Sequence, residues 1–184
     1  TLEWIQNKHI GGVLLLGRNV ENEQQLKKLT DDLQTASDIP LFIAIDQEGG
    51  TVSRLKWNPV LTTSQKDIES SKQMYDVAKE RAKILKSVGI NMNLAPVVEH
   101  ITDASSFMYK RVFEGDVYVI SDKALAAISG YSQQGIIPVP KHYPGHSNTS
   151  PDSHQYLPKV NITPLEWDSY IYHFKTLIEQ KNVD

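Results

Sequence analysis

Fourteen residues running from Lys141 to His154, KHYPGHSNTSPDSH, hold three histidines, one lysine and one aspartate. Pro144, Gly145 and Pro151 disfavour a regular helix there, so the segment reads as a loop. Three kinds of role suit it. His142, His146 and His154, with an oxygen from Asp152, form a candidate zinc set, although their spacing matches no helical HExxH arrangement. The same imidazoles could simply be solvated on a surface loop. The third role is acid/base chemistry: Asp152 and His154 lie one residue apart and point the same way in an extended segment. The carboxylate can then bind one ring nitrogen and orient the other. A histidine titrating near neutrality can protonate a leaving oxygen and later take a proton from water.

A second cluster is IDQEGGTVSRL, from Ile45 to Leu55. Asp46 and Glu48 follow an apolar run directly, and Gly49 and Gly50 permit a tight turn with close backbone approach. A loop wrapped near a ligand fits this pattern. So does a plain strand exit in which Asp46 caps a turn.

The elements that must position these clusters are legible as alternating short apolar runs and longer amphipathic stretches. GGVLLLG (11–17), LFIAID (41–46), INMNLAP (90–96) and IIPVPKH (136–142) read as buried strands. Between them, 21–36 carries Leu26, Leu29 and Leu33 at helical spacing, and 68–88 carries Met74, Val77, Ala78, Ala82 and Leu85 on one face before Gly89. A third helix is expected over 121–134, closed by Gly135. A fourth is expected from Thr163, with Pro164 and Glu166 completing a start signal and Trp167, Tyr170, Ile171, Phe174, Leu177 and Ile178 on its apolar face. Strand and helix in alternation predict a parallel α/β architecture. Asp46, Asn93, Pro96, Lys141 and His142 then gather on the carboxyl edge of the sheet, flanked by two long loops, 47–66 and 97–120.

Composition narrows the classes. The 184 residues fit one domain or part of a larger one. Nineteen basic and 22 acidic residues give a net charge of −3 and are intermixed, which argues against a nucleic-acid surface and for a small or neutral partner. The absence of cysteine removes disulfides, thiolate nucleophiles and cysteine zinc sites. No apolar run approaches the roughly 20 residues of a membrane span. The chain opens on Thr1 without a leader, so cytoplasmic and secreted or cell-wall-associated locations both stay open.

KHYPGHSNTSPDSH resembles the K-H-F-P-G-H-G-x-T-x-x-D-S-H signature of glycoside hydrolase family 3 β-N-acetylglucosaminidases, and AIDQEGGTVSRL resembles their I-D-Q-E-G-G-R-V-x-R-L segment. GGVLLLGRNV, GINMNLAPVVE and KRVFEGD are similar to three further family segments, in the same order. The D-S-H loop, absent from the β-glucosidase branch, points to the N-acetylhexosaminidase branch. The resemblance implies His154 as the acid/base with Asp152 as its orienting partner. It implies that Asp46, Arg54, Arg111, Lys141 and His142 bind a terminal N-acetylglucosamine, with His146 holding the loop or solvated. It implies a carbohydrate substrate, a glycoside of cell-wall origin such as a muropeptide, and neither metal nor organic cofactor. Thr51, Val112 and Ser147 depart from the family's usual arginine, serine and glycine.

The implied fold is a (β/α)8 TIM-type barrel, and such barrels take about 250 residues. The expectation is therefore a single domain over 1–184 that is an incomplete barrel, lacking its first strand and its C-terminal strands. A retaining glycosidase also needs a carboxylate nucleophile, which the resemblance places beyond Asp184. The expected activity is that of a retaining β-N-acetylglucosaminidase in the full-length protein, with this chain alone inactive. The alternatives are a family phosphorylase, in which phosphate replaces water, and an inactive sugar-binding fragment.

Overall fold

The computed structural model describes residues 2–8, 10–146, 157 and 159–180. Asp152 and His154 lie outside the described residues. Helix α1 (Leu2–Lys8) comes first and sets Ile5 into the core. Strand β1 (Gly12–Leu15), helix α2 (Glu23–Thr35) and strand β2 (Phe42–Ile45) follow. After them come the short helix α3 (Pro59–Thr62), the long helix α4 (Ser71–Ser87) and strand β3 (Met92–Asn93). Helix α5 (Val117–Ser132), strand β4 (Ile137–Pro138) and the short helices α6 (Trp167–Tyr170) and α7 (Tyr172–Glu179) complete the described chain.

All four strands pair in parallel in the order β1-β2-β3-β4. Each is followed by helix, so the chain is an α/β protein built from consecutive strand–helix units of a TIM-type barrel, open among the described residues. The register aligns Leu14, Ala44, Met92 and Ile137 at neighbouring positions on adjacent strands. Because side chains alternate across a strand, Leu15, Ile43 and Ile45 project to the opposite face, where they are buried under the helices. Leu14, Phe42 and Ile137 are left partly exposed on the other face.

The helices are where apolar spacing places them. Asn22 caps α2 by accepting from the Gln25 amide, and Leu26, Thr30 and Leu33 are buried. Ser70 caps α4, which buries Met74, Ala78, Arg81, Ala82 and Leu85. Asp116 caps α5 by accepting from the amides of Tyr118 and Val119, so this helix starts four residues before the sequence-based expectation. Gly89 and Gly135 follow α4 and α5 with φ of 78° and 76°, as expected of helix-ending glycines.

Two expectations require correction. The fourth helix does not start at Thr163. Glu166 does accept from the Thr163 amide and hydroxyl at 2.8 Å each, but this closes a turn ahead of α6. The helix then breaks at Ile171, with Phe174 and Leu177 buried but Trp167 and Ile178 substantially exposed. The 47–66 segment is also less of a loop than expected, because α3 lies within it and a 3-10 turn, Gln65–Asp67, overlaps its end.

Candidate active site

Lys141 is brought to the sheet's carboxyl edge by continuation of the strand ladder past its regular part. Lys141 N donates to Pro96 O at 3.0 Å, and Val98 N donates to Lys141 O at 2.9 Å. Its ammonium then spans two carboxylates, Asp46 at 2.6 Å and Glu48 at 2.7 Å. Arg111 closes on Glu48 with a bidentate fork, Nε to Oε2 at 2.9 Å and Nη2 to Oε1 at 2.8 Å. Arg54 reaches toward the other carboxylate, Nη2 lying 3.7 Å from Asp46 Oδ2. A cavity of about 430 Å³ opens over this group, with His142, His146 and Phe107 on its wall. Five residues expected to bind sugar, Asp46, Arg54, Arg111, Lys141 and His142, thus share one cleft.

The two carboxylates differ in what they offer. Glu48 is 1% exposed and holds three charge-assisted contacts, which makes it an internal tie between Arg111 and Lys141. Asp46 has a side chain 18% exposed, and of its two oxygens only Oδ1 is held tightly. Asp46 is the carboxylate that a ligand hydroxyl can meet. Among the described residues Asp46 lines the cleft and its side-chain partners are Lys141 and Arg54.

The loop carrying Glu48 is fixed from below by uncharged and cationic groups whose work is wholly internal. Gln47, fully buried, donates Nε2 to the carbonyls of Leu55 and Leu61 and accepts at Oε1 from the amides of Arg54 and Leu55. Asn93 brackets the Gln47 peptide, accepting from its amide at 3.0 Å and donating to its carbonyl at 3.1 Å. Arg81, 1% exposed on α4, donates to the carbonyls of Glu48, Val60 and Thr63. The Gly-Gly pair has a matching explanation. Gly49 has φ of 93°, and a Cβ there would stand 1.9 Å from the Thr63 carbonyl oxygen. The close approach that glycine permits is to the protein's own backbone.

Glu99 was not singled out by sequence reasoning, yet it organises the start of the histidine loop. Its Oε1 accepts from the His142 amide at 3.0 Å and lies 3.3 Å from His142 Nδ1, while Oε2 accepts from the His146 amide at 2.8 Å. Burial, the largest influence, pushes its carboxyl up. The hydrogen bonds from His142 and His146, with the His142 charge, outweigh that and hold it below the ordinary 4.5. The only sequence signal was its place, one acidic residue terminating the apolar run APVV. Around the same turn, Tyr170 donates its hydroxyl to the Gly145 carbonyl at 2.6 Å. Burial, with the Glu99 charge second, pushes that phenol up to about 12, so it stays a donor. The His146 ring packs edge-on against both Phe107 and His142, with centroids 5.4 Å apart in each case.

Among the described residues, no group of three or more His, Asp or Glu is placed to hold a metal ion. No helix among them is long and apolar enough to cross a membrane. Asp152 and His154, expected to carry the acid/base step, follow His146 in sequence but fall outside the described residues.

Parallel strand–helix units with a cleft of carboxylates and cations at the strands' carboxyl ends define the barrel-enzyme class, where that edge carries the chemistry. The glycosyl hydrolase family 3 N terminal domain model matches residues 1–184, and the chain belongs to that family. It is 35% identical over 176 residues to beta-hexosaminidase A of Pseudoalteromonas piscicida, covering 86% of this chain and 29% of that protein. It is 33% identical over 186 residues to the beta-hexosaminidase of Photobacterium profundum, covering 99% of this chain and 55% of the relative. The chain thus spans about half or less of the length of these relatives. The solved structure of NagZ from Neisseria gonorrhoeae in complex with N-trifluoroacetyl-D-glucosamine superposes with a TM-score of 0.89 at 25% identity, over 97% of this chain and 56% of that one.

Proposed function

We propose that the intact protein is a retaining β-N-acetylglucosaminidase that removes terminal N-acetylglucosamine from glycosides of cell-wall origin. The observation carrying this reading is Asp46. It is a partly exposed carboxylate held between Lys141 and Arg54 at the mouth of the cleft, an arrangement that offers acceptors and donors together to adjacent sugar hydroxyls. The names of the relatives, beta-hexosaminidases, and the glucosamine derivative bound by the gonococcal neighbour support the choice of sugar.

In this mechanism His154, oriented by Asp152, protonates the glycosidic oxygen as a carboxylate attacks the anomeric carbon. His154 then takes a proton from the water that releases the sugar. In this reading Glu48 ties Lys141 to Arg111, Glu99 holds the 142–146 turn, and Asp46 is assigned to the sugar hydroxyls. The attacking carboxylate is the one that the family resemblance places beyond Asp184.

The test is hydrolysis of an aryl N-acetyl-β-glucosaminide by the intact protein, with the first-formed anomer read by NMR. The expected product is the β-anomer of N-acetylglucosamine. His154→Ala should slow natural glycosides strongly and aryl substrates with good leaving groups much less, since those need little protonation. Absence of turnover on the aryl substrate would sink the reading. Release of the sugar as a 1-phosphate, dependent on added phosphate, would replace hydrolysis by phosphorolysis.

A further inference from the structure

Glu99 is a carboxylate buried to 1% exposure that makes no ion pair with Lys141, Arg54 or Arg111 among the described residues. Among the described residues its hydrogen-bond partners are two backbone amides and one imidazole, all from the segment 142–146. Burying an ionised carboxylate is costly unless each oxygen is well served by donors. Here each oxygen accepts a backbone N–H, one from the first residue of the turn and one from the last. An amide could not replace it, because a glutamine presents one acceptor and one donor, and its NH₂ would face a backbone N–H whichever way it turned. The site requires two acceptors, which means the charged form.

The charge has a second effect, on His142. An ionised carboxylate only accepts, so the ring nitrogen beside it, Nδ1, must carry a proton. In the neutral imidazole the second nitrogen, Nε2, is then a bare lone pair. His142 lines the cleft beside Lys141, Arg54 and Arg111, which only donate. A sugar hydroxyl both donates and accepts, so a cleft wall of donors needs acceptors interleaved with them.

We infer that Glu99 is a positioning residue: it clamps both ends of the 142–146 turn and fixes His142 as the Nδ1–H tautomer, so that Nε2 accepts a hydrogen bond from a hydroxyl of the bound sugar. The role in sugar binding rests on the glycosidase reading above, whereas the tautomer assignment rests only on the geometry of Glu99 and His142. Glu99 acts through His142 and touches no reacting atom.

The tautomer is read directly from ¹⁵N shifts of the His142 ring, assigned by loss of its signals in His142→Gln, in the intact, sugar-free protein near neutral pH. The expected pattern is a protonated Nδ1 and a pyridine-type Nε2. A wild-type His142 with the proton on Nε2 overturns the inference, and this measurement needs no variant at position 99 to fold. In Glu99→Gln the ring should lose the Nδ1–H preference. The KM for an aryl N-acetyl-β-glucosaminide should then rise roughly tenfold, with kcat changing less, as expected when a binding contact is lost. Glu99→Asp, which keeps the charge, should restore part of the tautomer preference. A Glu99→Gln protein with the wild-type His142 pattern, or with an unchanged KM, refutes the positioning role. Inactivity of the wild-type protein on N-acetylglucosaminides would refute the glycosidase reading instead, and the shift pattern would still decide the tautomer.

Discussion

Replacing Glu48 by glutamine separates a structural tie from a chemical group, and the structure sets the size of the effect. The side chain keeps its shape but loses its charge inside a site 1% exposed. Lys141 retains Asp46 at 2.6 Å, so the loss falls on Arg111, whose fork needs two acceptor oxygens. Beyond Glu48, Arg111 has a sulfur contact to Met108 at 3.1 Å, a weak substitute. Breaking one side of a buried ion pair costs about 3–5 kcal/mol. The retained amide oxygen and the 13% exposure of Arg111 favour the lower end, about 3 kcal/mol. At about 2–4 °C per kcal/mol for a chain of this size, Tm should fall by roughly 6–12 °C. The assay is thermal and urea unfolding of Glu48→Gln, of Arg111→Met and of the double variant. The double variant should be less destabilised than the sum of the singles, since it strands no charge. If Glu48→Gln melted like wild type while abolishing turnover, Glu48 would be acting on substrate and the tie would be refuted.

Other consequences follow from neighbouring residues. His173 is buried with neither ring nitrogen hydrogen-bonded among the described residues, and burial, the largest influence, pulls its value from 6.5 to about 4. The folded state therefore binds this proton less readily than the unfolded state. Its neutral form contributes fully above pH 6.5, and up to about 3 kcal/mol is lost as pH falls toward 4. His173→Leu should flatten the fall in urea midpoint between pH 7 and 4.5, and parallel curves for the two proteins would contradict this. Gly49→Ala should cost more than about 3 kcal/mol or prevent folding, because a Cβ at 1.9 Å from a backbone oxygen has no room and φ of 93° resists a side chain; a melting curve within 2 °C of wild type, on the scale of a surface change, would refute it. Arg81→Lys should lose about 2–4 kcal/mol, since one ammonium cannot reach the carbonyls of Glu48, Val60 and Thr63 that the guanidinium joins. It should also raise KM by loosening Glu48, and unchanged stability would refute it.

The parts legible in the sequence are those governed by local pattern. Parallel strands covered by helices read as continuous apolar runs, which is why GGVLLLG, LFIAID, INMNLAP and IIPVPKH each contain an observed strand. Polar residues ending such runs fall on the carboxyl edge, so Asp46, Lys141 and His142 could be placed together before any distance was known. Arg111 could not: it lies in a 97–116 stretch with no periodicity, and only family resemblance singled it out. The break at Ile171 was equally hidden. A continuous amphipathic pattern over 167–178 says nothing of the Tyr170 hydroxyl bound to Gly145 in another segment.

The hardest residues to read were the two buried glutamates, and for the same physical reason. A carboxylate's role is set by what donates to it, and those donors lie 63 residues away for Glu48 with Arg111 and 43 to 47 residues away for Glu99 with the histidine turn. Glu48 follows a strand two residues after Asp46, and its place in the sequence does not say whether it meets substrate or protein. Three charge-assisted contacts tie it to Lys141 and Arg111 inside the protein. Glu99 had no reading at all, yet its two oxygens decide which nitrogen of His142 meets the cleft. In both cases local sequence supplies the charge and tertiary structure consumes it.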